Sequence, residues 1–460
     1  MPSISEEAVQ VIEEARELLT PSPAERERVA SALRRAVERL SDALSDMGVE
    51  AIVEPVGSAT RGTWLPGSVD LDLFILLPPE TPGERLGCIA IEAASRAFGN
   101  CEVRYSSHPY ARSRFEGLWV EVVPAYLVGS PSEIISPVDR TPFHSRFLSE
   151  KIDEELAGDV RLLKAFMKSL GVYGAEIAVE GFSGYLCELL VIRYSGFVGV
   201  LLDAPGWREP QTLYLPEAPP VGGYQPAPLI FPDPVDPRRN AAAAVGRTQF
   251  HRFRAACSQF LRRPSVQFFR GFVASVDRDR ARRVVEERGT RFILAVFSGV
   301  SFPPDVAWGQ LKSLRARVER ELRETGFGVL DSSVWYSDRG YGALVVELTI
   351  SELPPAEKRR GPPVGSPGEA PFLEKHLSAR DTLGGPFIQG DRWFVLKRRR
   401  WTSAIDLFKH IVEVARPSSL RGARVSVYTD LGEILSLREE DLVRFLLSFI
   451  LRREPFLEPS

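Results

Sequence analysis

The stretch Val56-Gly-Ser-Ala-Thr-Arg-Gly-Thr-Trp-Leu-Pro-Gly-Ser-Val-Asp-Leu-Asp-Leu-Phe-Ile-Leu-Leu77 joins a glycine-serine turn to an apolar segment that contains two aspartates. The segment from Val69 to Leu77 is short and rich in leucine, isoleucine and phenylalanine, which predicts a buried β-strand. Side chains two residues apart in a strand lie on the same side, so Asp70 and Asp72 project together while the leucines between and after them face the core. The two carboxylates therefore form one patch.

A third acid occurs in a second predicted strand, Leu118-Trp-Val-Glu-Val-Val-Pro-Ala-Tyr126, where Glu121 is the only charged residue. Like charges held close together repel, and a fold tolerates them when a cation neutralises them or one carries a proton. If the two strands are neighbours, three carboxylates converge. Such a set suits two Mg²⁺ ions about 3.5 to 4 Å apart, one activating an attacking hydroxyl and one stabilising the leaving oxygen. This is the chemistry of a polymerase.

Gly57-Ser58 follows the first predicted strand and opens a short helical turn. Free backbone N–H groups and the Ser58 hydroxyl are suited to phosphate oxygens at such a place, and Arg61 adds a positive charge three residues later. A glycine-serine pair alone indicates only a turn, and two acids alone could be solvated at a strand edge. The order glycine-serine, acid-x-acid, third acid favours a functional site.

Composition limits the possible classes of protein. The chain has 460 residues, 44% of them hydrophobic, which predicts about three globular domains. The formal charge is −3, from 58 basic and 61 acidic residues, so an anionic partner must be bound by local basic patches. The four cysteines are far apart, which argues against a zinc knuckle or a disulfide framework and predicts a cytoplasmic location. No signal peptide and no membrane-spanning run are expected.

The pattern along the chain predicts a multidomain α/β protein. Two helices separated by Pro21-Ser-Pro23 precede the first strand, and short strands with one helix continue to residue 127. Residues 150–200 have helical spacing, including a helix opened by Ser183. Strands and basic helices alternate in the C-terminal half. The proline- and glycine-rich segments 204–238 and 353–371 are predicted to be irregular.

The turn and the three acids resemble the signature of the polymerase β nucleotidyltransferase superfamily. Further motifs are similar to those of the archaeal class I CCA-adding enzymes, and the likeness spans nearly the whole chain. They are Gly57-Ser-Ala-Thr-Arg-Gly-Thr-Trp-Leu65, Arg140-Thr-Pro-Phe-His144, Arg161-Leu-Leu-Lys164, Gly171-Val-Tyr-Gly-Ala-Glu176 and Gly181-Phe-Ser-Gly-Tyr-Leu-Cys-Glu-Leu189. The resemblance implies a nucleotidyltransferase head (residues 1–145), a helical central domain that completes the nucleotide pocket (146–275) and an RNA-binding body and tail (276–460).

The resemblance also implies an activity and its residues. Such enzymes add C, C and A to the 3′ end of tRNA without a template, from CTP and ATP, and release pyrophosphate. The metal ligands would be Asp70, Asp72 and Glu121, where the family usually has aspartate at the third position. The triphosphate would be held by Ser58, Arg61, His144, Lys164 and Tyr173, and the incoming base would meet Thr141 and Arg239.

Four of these residues also have a purely structural interpretation. Lys164 stands alone in an apolar helical turn, so if buried it needs an anion, which a triphosphate would supply; on the surface it needs none. A single histidine such as His144 is more often a structural donor than a ligand. Tyr173 could simply pack beside Gly174, and Arg239 could pair with Asp236 to shape a loop.

The segment Lys397-Arg-Arg-Arg-Trp401 is the strongest RNA-binding candidate in the C-terminal half. Consecutive cations beside an aromatic ring suit phosphate contacts and stacking, so Arg398, Arg399 and Arg400 are predicted to bind RNA; a solvated charge run is the alternative. The expected partner is the acceptor and T-stem of tRNA with its 3′ end, and no membrane. The sequence does not determine the oligomeric state, and a homodimer stays open.

Two other functions share most of these features. A poly(A) polymerase-like enzyme would have the same acids but would extend RNA without stopping. A non-catalytic RNA-binding relative would be expected to have lost one of the three acids, and here all three are present. The length of the product distinguishes the first alternative from CCA addition.

Overall fold

The computed structural model describes residues 4–105, 107–272 and 277–457. The chain forms two compact units, one made of Met1–Val273 with Glu454–Ser460 and the other of Ala274–Arg453. Residues 454–457, which we predicted as part of the C-terminal body, therefore pack with the first unit.

The first unit begins with two helices, α1 (Glu6–Leu19) and α2 (Pro23–Asp46). Ser5 and Ser22 cap them, because their side chains accept hydrogen bonds from the backbone N–H groups of Ala8 and Glu25. Pro23 is the first residue of α2, a position where its missing N–H costs nothing. The predicted break between the two helices is confirmed.

A five-stranded sheet follows, and it carries the predicted acids. The order of its strands is β1-β2-β5-β4-β3. Helices α2 and α4 cover one face and bury Leu71, Leu73 and Ile75 against it. We had not predicted β4, since its sequence Pro109-Tyr-Ala-Arg-Ser-Arg-Phe115 contains two arginines and a serine and no β-branched residue. The elements are β1 (Ile52–Val56), α3 (Ser58–Arg61), β2 (Asp70–Leu77), α4 (Gly83–Phe98), β3 (Cys101–Tyr105), β4 (Pro109–Phe115) and β5 (Leu118–Tyr126).

The rest of the first unit is mainly helical, and its core is rich in phenylalanine. Phe166 contacts the rings of five other phenylalanines, which fixes the helices around one centre. Ser183 accepts a hydrogen bond from the N–H of Leu186 and caps its helix, as predicted. The elements are α5 (Arg140–Lys151), α6 (Glu154–Ser169), α7 (Gly184–Tyr194), α8 (Phe197–Asp203), β6 (Gln211–Thr212), β7 (Leu229–Ile230), α9 (Arg247–Arg262) and α10 (Gln267–Arg270).

The second unit contains a four-stranded sheet, ordered β14-β8-β10-β9, and a three-stranded sheet, ordered β11-β13-β12. The strand β11 lies in the segment 353–371 that we predicted to be irregular, and that prediction was wrong there. Its sequence, Ala356-Glu-Lys-Arg-Arg-Gly-Pro-Pro363, lacks apolar alternation, but it pairs with β13 as an edge strand. The elements are α11 (Arg278–Arg288), β8 (Arg291–Ser298), α12 (Pro304–Thr325), β9 (Gly328–Ser337), β10 (Tyr341–Ile350), β11 (Ala356–Pro363), α13 (Glu369–Leu377), β12 (Thr382–Gln389), β13 (Arg392–Arg398), α14 (Ala404–Val414), β14 (Arg424–Tyr428), α15 (Leu431–Leu435) and α16 (Glu440–Leu451).

Among the residues described, no single helix has the length and apolar character needed to cross a membrane. One bent pair of helices, Gly184–Tyr194 and Phe197–Gly206, meets the length and composition criteria together.

Candidate active site

The three predicted metal ligands lie on two neighbouring strands of the five-stranded sheet. Strands β2 and β5 run parallel, with Asp72 opposite Glu121 and Asp70 opposite Trp119. Residues that are directly opposite in paired strands share a face, so the three carboxylates lie on one side of the sheet, opposite the face that α2 and α4 cover. We call Asp70, Asp72 and Glu121 the acid patch. The two strands are thus neighbours, which is the condition on which the convergence of the three acids depended.

Gly57 allows the chain to pass close to this patch. Its φ of 80° is a left-handed conformation, and a Cβ atom at this position would lie 1.9 Å from Oδ2 of Asp72. A side chain at residue 57 would therefore collide with the carboxylate as well as strain the backbone. The next residue, Ser58, begins α3, which is the short helical turn predicted from the sequence.

The carboxylates of the acid patch have too little counter-charge. Burial, then repulsion by Glu121 and Asp70, raises the pKa of Asp72 to about 7, although Arg61 and Lys164 act to lower it. Burial also raises the pKa of Glu121, against the opposing effect of Arg112. Near neutral pH, Asp72 is thus held between its charged and neutral forms, and an added cation would favour the charged form.

The donor set fits a hard divalent cation, because carboxylate oxygens are the ligands that Mg²⁺ prefers. The side chains are not gathered around a single point: within the part of the chain that the structure describes, no three His, Cys, Asp or Glu side chains have the geometry of a metal site. The acids therefore match such an ion in chemistry and charge, and their side chains would have to turn to coordinate it.

A cavity of about 490 Å³ lies next to the acid patch. Gly57, which touches Asp72, and Ser58 form part of its wall. The three acids do not line it. All seven residues predicted to hold the nucleotide do line it: Ser58, Arg61, Thr141, His144, Lys164, Tyr173 and Arg239.

Two of these cations share a buried carboxylate, which we did not predict. The ammonium of Lys164 lies 3.6 Å from Glu188, and the guanidinium of Arg61 lies 3.1 Å from the same carboxylate. The side chains of Arg61, Lys164 and Glu188 are only 7%, 5% and 3% exposed. Lys164 is buried as expected, but its nearest anion is Glu188. We call Arg61, Thr63, Lys164 and Glu188 the Glu188 network, since Thr63 also donates to Glu188.

A second buried carboxylate, Asp233, organises the other side of the cavity. It accepts hydrogen bonds from Nε2 of His144 at 2.8 Å, the hydroxyl of Tyr185 at 2.9 Å and Nη1 of Arg239 at 2.7 Å. Burial acts to raise its pKa, but the hydrogen bond and charge of His144 and its other partners lower the pKa to about 2. We call His144, Tyr185, Asp233 and Arg239 the Asp233 network.

This network changes the interpretation of Arg239. The alternative to a base-reading role was a pair with Asp236, but Asp236 instead binds Arg140 at 3.1 Å. Arg239 is held at one end by Asp233, and its side chain is 43% exposed. His144 also stacks on Tyr185, with ring centroids 4.2 Å apart. Both predicted pocket residues are therefore fixed in place by side chains that the sequence interpretation had not included.

Tyr173 lies where the cavity meets the first turn of α7. Burial, with smaller effects from Cys187 and Glu188, raises the pKa of its hydroxyl, which therefore stays protonated. A Cβ atom at Gly184 would lie 3.1 Å from that hydroxyl and 3.7 Å from Nζ of Lys164. The missing side chain of Gly184 leaves room for both groups at the cavity wall.

The predicted RNA-binding arginines lie in the second unit and do not form a continuous exposed patch. Lys397 is buried and pairs with Asp381 at 2.6 Å. Arg399 is mostly buried and binds Glu357 and the carbonyl of Thr325, each at 3.2 Å. Arg398 and Arg400 are exposed, and Arg400 lies over the ring of Trp401. Only these two arginines of the segment are therefore presented to a partner.

Glu188 and Asp233, which were not predicted from the sequence, differ in how far the sequence could have revealed them. Glu188 is the only charge in the apolar run Leu186-Cys-Glu-Leu-Leu-Val191, which is the criterion that identified Glu121 and Lys164. Asp233 lies in the irregular segment Phe231-Pro-Asp-Pro234, and no periodicity there marks it as buried. Only the folded chain brings its partners, from three separate segments, around it.

Three family models match successive parts of the chain. They are a nucleotidyltransferase domain over residues 37–144, the second domain of tRNA nucleotidyltransferase over 158–270 and the C-terminal domain of CCA-adding enzyme over 288–429. The first match contains the acid patch and Thr141. The second contains Lys164, Tyr173 and Arg239.

Several archaeal proteins named CCA-adding enzyme are similar over most of the chain. That of Pyrobaculum neutrophilum is 40% identical over 88% of this chain and 93% of its own length. That of Halobacterium salinarum is 37% identical over 86% of both chains. That of Methanothermobacter thermautotrophicus is 35% identical over 96% of both. The similarity thus covers the segments that form both structural units.

Proposed function

We propose that the acid patch and the adjoining cavity carry out the reaction of the CCA-adding enzyme family, to which this chain belongs. The protein adds C, C and A to the 3′ end of tRNA without a nucleic-acid template. The observation that carries the assignment of the site is the cavity itself. It brings seven predicted nucleotide-binding residues, from five separate segments of sequence, to the wall next to Asp72.

The triphosphate of CTP or ATP would lie between Arg61 and Lys164 on one side and His144 on the other. Glu188 neutralises only one of the two buried cations, so the wall keeps one formal positive charge for the phosphates. The Ser58 hydroxyl and the protonated Tyr173 hydroxyl add neutral donors. Because Glu188 holds Arg61 and Lys164, and Asp233 holds His144, before the nucleotide arrives, these three side chains need little further ordering on binding.

We propose Asp70, Asp72 and Glu121 as the ligands of Mg²⁺, in a site for two ions. When bound there, Mg²⁺ would supply positive charge to the attacking hydroxyl and to the leaving oxygen. The protein's own contribution is position: β2 and β5 fix the three carboxylates on one face, and Gly57 brings the nucleotide wall against Asp72. Pyrophosphate would then leave from the cation-lined side.

Thr141 and Arg239 would meet the base. Arg239 uses Nη1 to bind Asp233, and arginine has five N–H donors in a fixed plane. A pocket without a template must reject wrong bases by leaving buried donors or acceptors unpaired. An arginine anchored at one end and exposed at the other suits that task.

The remaining assignments are proposals of the same kind. We propose residues 1–145 as the catalytic head, 146–275 as the domain that completes the pocket and 276–460, apart from the residues 454–457 that pack with the first unit, as the RNA-binding body. Within that body, Arg398 and Arg400 are the exposed candidates for contacts with tRNA phosphates, whereas Arg399 supports the fold. The four free cysteines favour the cytoplasm as the place of action.

The direct test is to incubate a tRNA transcript that ends before CCA with CTP, ATP and Mg²⁺ and to measure product length at single-nucleotide resolution. We expect three added nucleotides and then no further growth. With CTP alone, growth should stop after two. An open-ended adenosine tail would contradict CCA addition and favour a poly(A) polymerase.

A further inference from the structure

Arg112 is a cation beside the acid patch that does not line the nucleotide cavity. It lies on β4, directly opposite Glu121 on β5. Its Nε atom is 3.4 Å from Oε1 of Glu121, and its Nη2 atom is 3.7 Å from Oδ2 of Asp70. Its guanidinium also lies over the ring of Trp119, 4.3 Å from the ring centroid. The aromatic face thus supports the guanidinium next to two of the acids.

The contacts of Arg112 are those of a loosely held counter-charge. Both distances exceed those of a normal charged hydrogen bond, and the buried Nε has no hydrogen-bond partner among the residues that the structure describes. By contrast, Arg35 binds Glu116 with two hydrogen bonds of 2.8 and 2.5 Å, although that pair is exposed. Arg112 therefore reduces the repulsion in the acid patch without satisfying its own donors, and it remains available to another anion.

The order of the strands places Arg112 on the side from which the attacking group must come. Gly57 and Ser58 follow β1, so the nucleotide cavity lies at the β1 side of β2. Arg112 lies on β4, beyond β5, at the other side of the acids. In an in-line displacement the attacking and leaving oxygens are on opposite sides of the phosphorus. If pyrophosphate leaves towards the cavity, the RNA 3′ hydroxyl approaches from the side of Arg112.

We propose that Arg112 is a positioning residue that alternates between two anions, the acid patch in the metal-free protein and the terminal phosphodiester of the RNA once a divalent cation has bound. The proposal rests on the proposed function, since it requires that the acids bind a cation. A cation bound at the acid patch repels the guanidinium of Arg112 and coordinates the carboxylates of Asp70 and Glu121 in its place. The N–H groups of Arg112 are then free to bind the incoming RNA end. Cation and RNA would thereby strengthen each other's binding.

The experiment measures binding and needs no turnover. Mn²⁺ is titrated into the full chain by calorimetry, with and without a tRNA that lacks CCA, for the wild type and for Arg112→Ala. We expect the variant without RNA to bind Mn²⁺ about fivefold more tightly, because a competing and partly exposed cation is gone. In the wild type, tRNA should tighten Mn²⁺ binding; in the variant, that effect should be lost. Arg112→Gln, which keeps the length of the side chain, replaces Arg112→Ala if the latter does not fold.

Arg114→Ala is the matched control. Arg114 lies over the same Trp119 ring, 3.9 Å from the centroid, but it hydrogen bonds to the carbonyl of Gly117 instead of pairing with the acid patch. The variant Arg114→Ala should therefore leave the Mn²⁺ affinity of the RNA-free protein unchanged. Unchanged or weaker Mn²⁺ binding by Arg112→Ala would overturn the proposal, as would coupling to tRNA that persists in the variant. A wild type that binds no Mn²⁺ would overturn both this proposal and the metal role of the acids. The two failures are distinguishable, because a wild type that binds Mn²⁺ with an affinity that Arg112→Ala does not increase overturns this proposal alone.

Discussion

The acid patch and the Glu188 network lie side by side and differ in how far their charges are balanced by opposite charges. In the Glu188 network, one carboxylate lies between two buried cations, and the charges stabilise each other. In the acid patch, three carboxylates lie together, and the ion pairs found for them among the described residues are those of Arg112 with Glu121 at 3.4 Å and with Asp70 at 3.7 Å. The first region has a carboxylate for its cations within the protein, with one positive charge left over, whereas the second has an excess of negative charge that the proposed Mg²⁺ would offset. In our proposal, the fold thus holds the nucleotide wall in place in advance, and bound Mg²⁺ would supply the positive charge for catalysis.

Asp72→Ala should have the largest effect of any change, because it removes the most buried acid of the patch. We expect nucleotide incorporation to fall by on the order of a thousandfold or more, since a bound metal supplies several kcal/mol of charge stabilisation. The affinity for tRNA, measured by filter binding, should stay within a few-fold. Substantial activity in a preparation free of wild-type enzyme would remove the acid patch from the mechanism.

Glu188→Gln tests the contribution of the Glu188 network to stability. It leaves the buried Arg61 and Lys164 without their shared carboxylate, and breaking a buried ion pair in this way costs about 3–5 kcal/mol of unfolding free energy. Urea unfolding measures this loss, and saturating CTP should reduce it, because the triphosphate offers the two cations new anions.

Glu209→Gln is the control for this loss, since Glu209 pairs with Arg247 and His251 at the surface. It should cost far less stability than Glu188→Gln. Equal losses in the two variants would mean that the Glu188 network contributes no more to stability than a surface ion pair.

Arg239→Ala should change the choice of nucleotide more than the rate of the chemical step. We expect the preference for CTP and ATP over UTP and GTP to fall by about tenfold, which corresponds to losing one hydrogen bond from a charged donor. Single-nucleotide incorporation with each of the four triphosphates measures it. If incorporation of all four nucleotides decreases equally and the preference for CTP and ATP is unchanged, Arg239 only supports the structure around Asp233.

The smallest effect is expected in the second unit, at Arg398 and Arg400. Changing both to alanine should reduce the salt dependence of tRNA binding by roughly one unit of slope for each phosphate that the variant no longer neutralises. Titrations at several salt concentrations measure the slope, and Arg34→Ala, which removes an exposed arginine of α2, serves as the control. An unchanged slope would mean that tRNA is bound elsewhere.

The sequence allowed the acid patch to be predicted more fully than the networks beside it. Two aspartates that alternate with leucines, and one glutamate in an apolar run, are local signals, and their strands proved to be neighbours. The partners of Lys164 and Arg239 were not predictable in this way, because Glu188 and Asp233 become partners only through tertiary contacts. The strands β4 and β11 were missed for a related reason: neighbouring strands, and not their own apolar pattern, keep them in their sheets.

The central claim is that the acid patch is strained by its own charge until a cation arrives, and the unfolding temperature of Asp72→Asn without metal tests it most directly. The pKa of Asp72 is raised to about 7 in the folded state, compared with about 3.9 in an unfolded chain, so its contribution to stability is full below about pH 4 and is lost as the pH rises through 7. In EDTA at pH 8, Asp72→Asn should therefore unfold at a higher temperature than the wild type. The difference should narrow towards pH 5, and Mg²⁺ should stabilise only the wild type. The surface variant Asp42→Asn should show none of this. If Asp72→Asn unfolds at the same or a lower temperature than the wild type at pH 8, the account of the acid patch is contradicted.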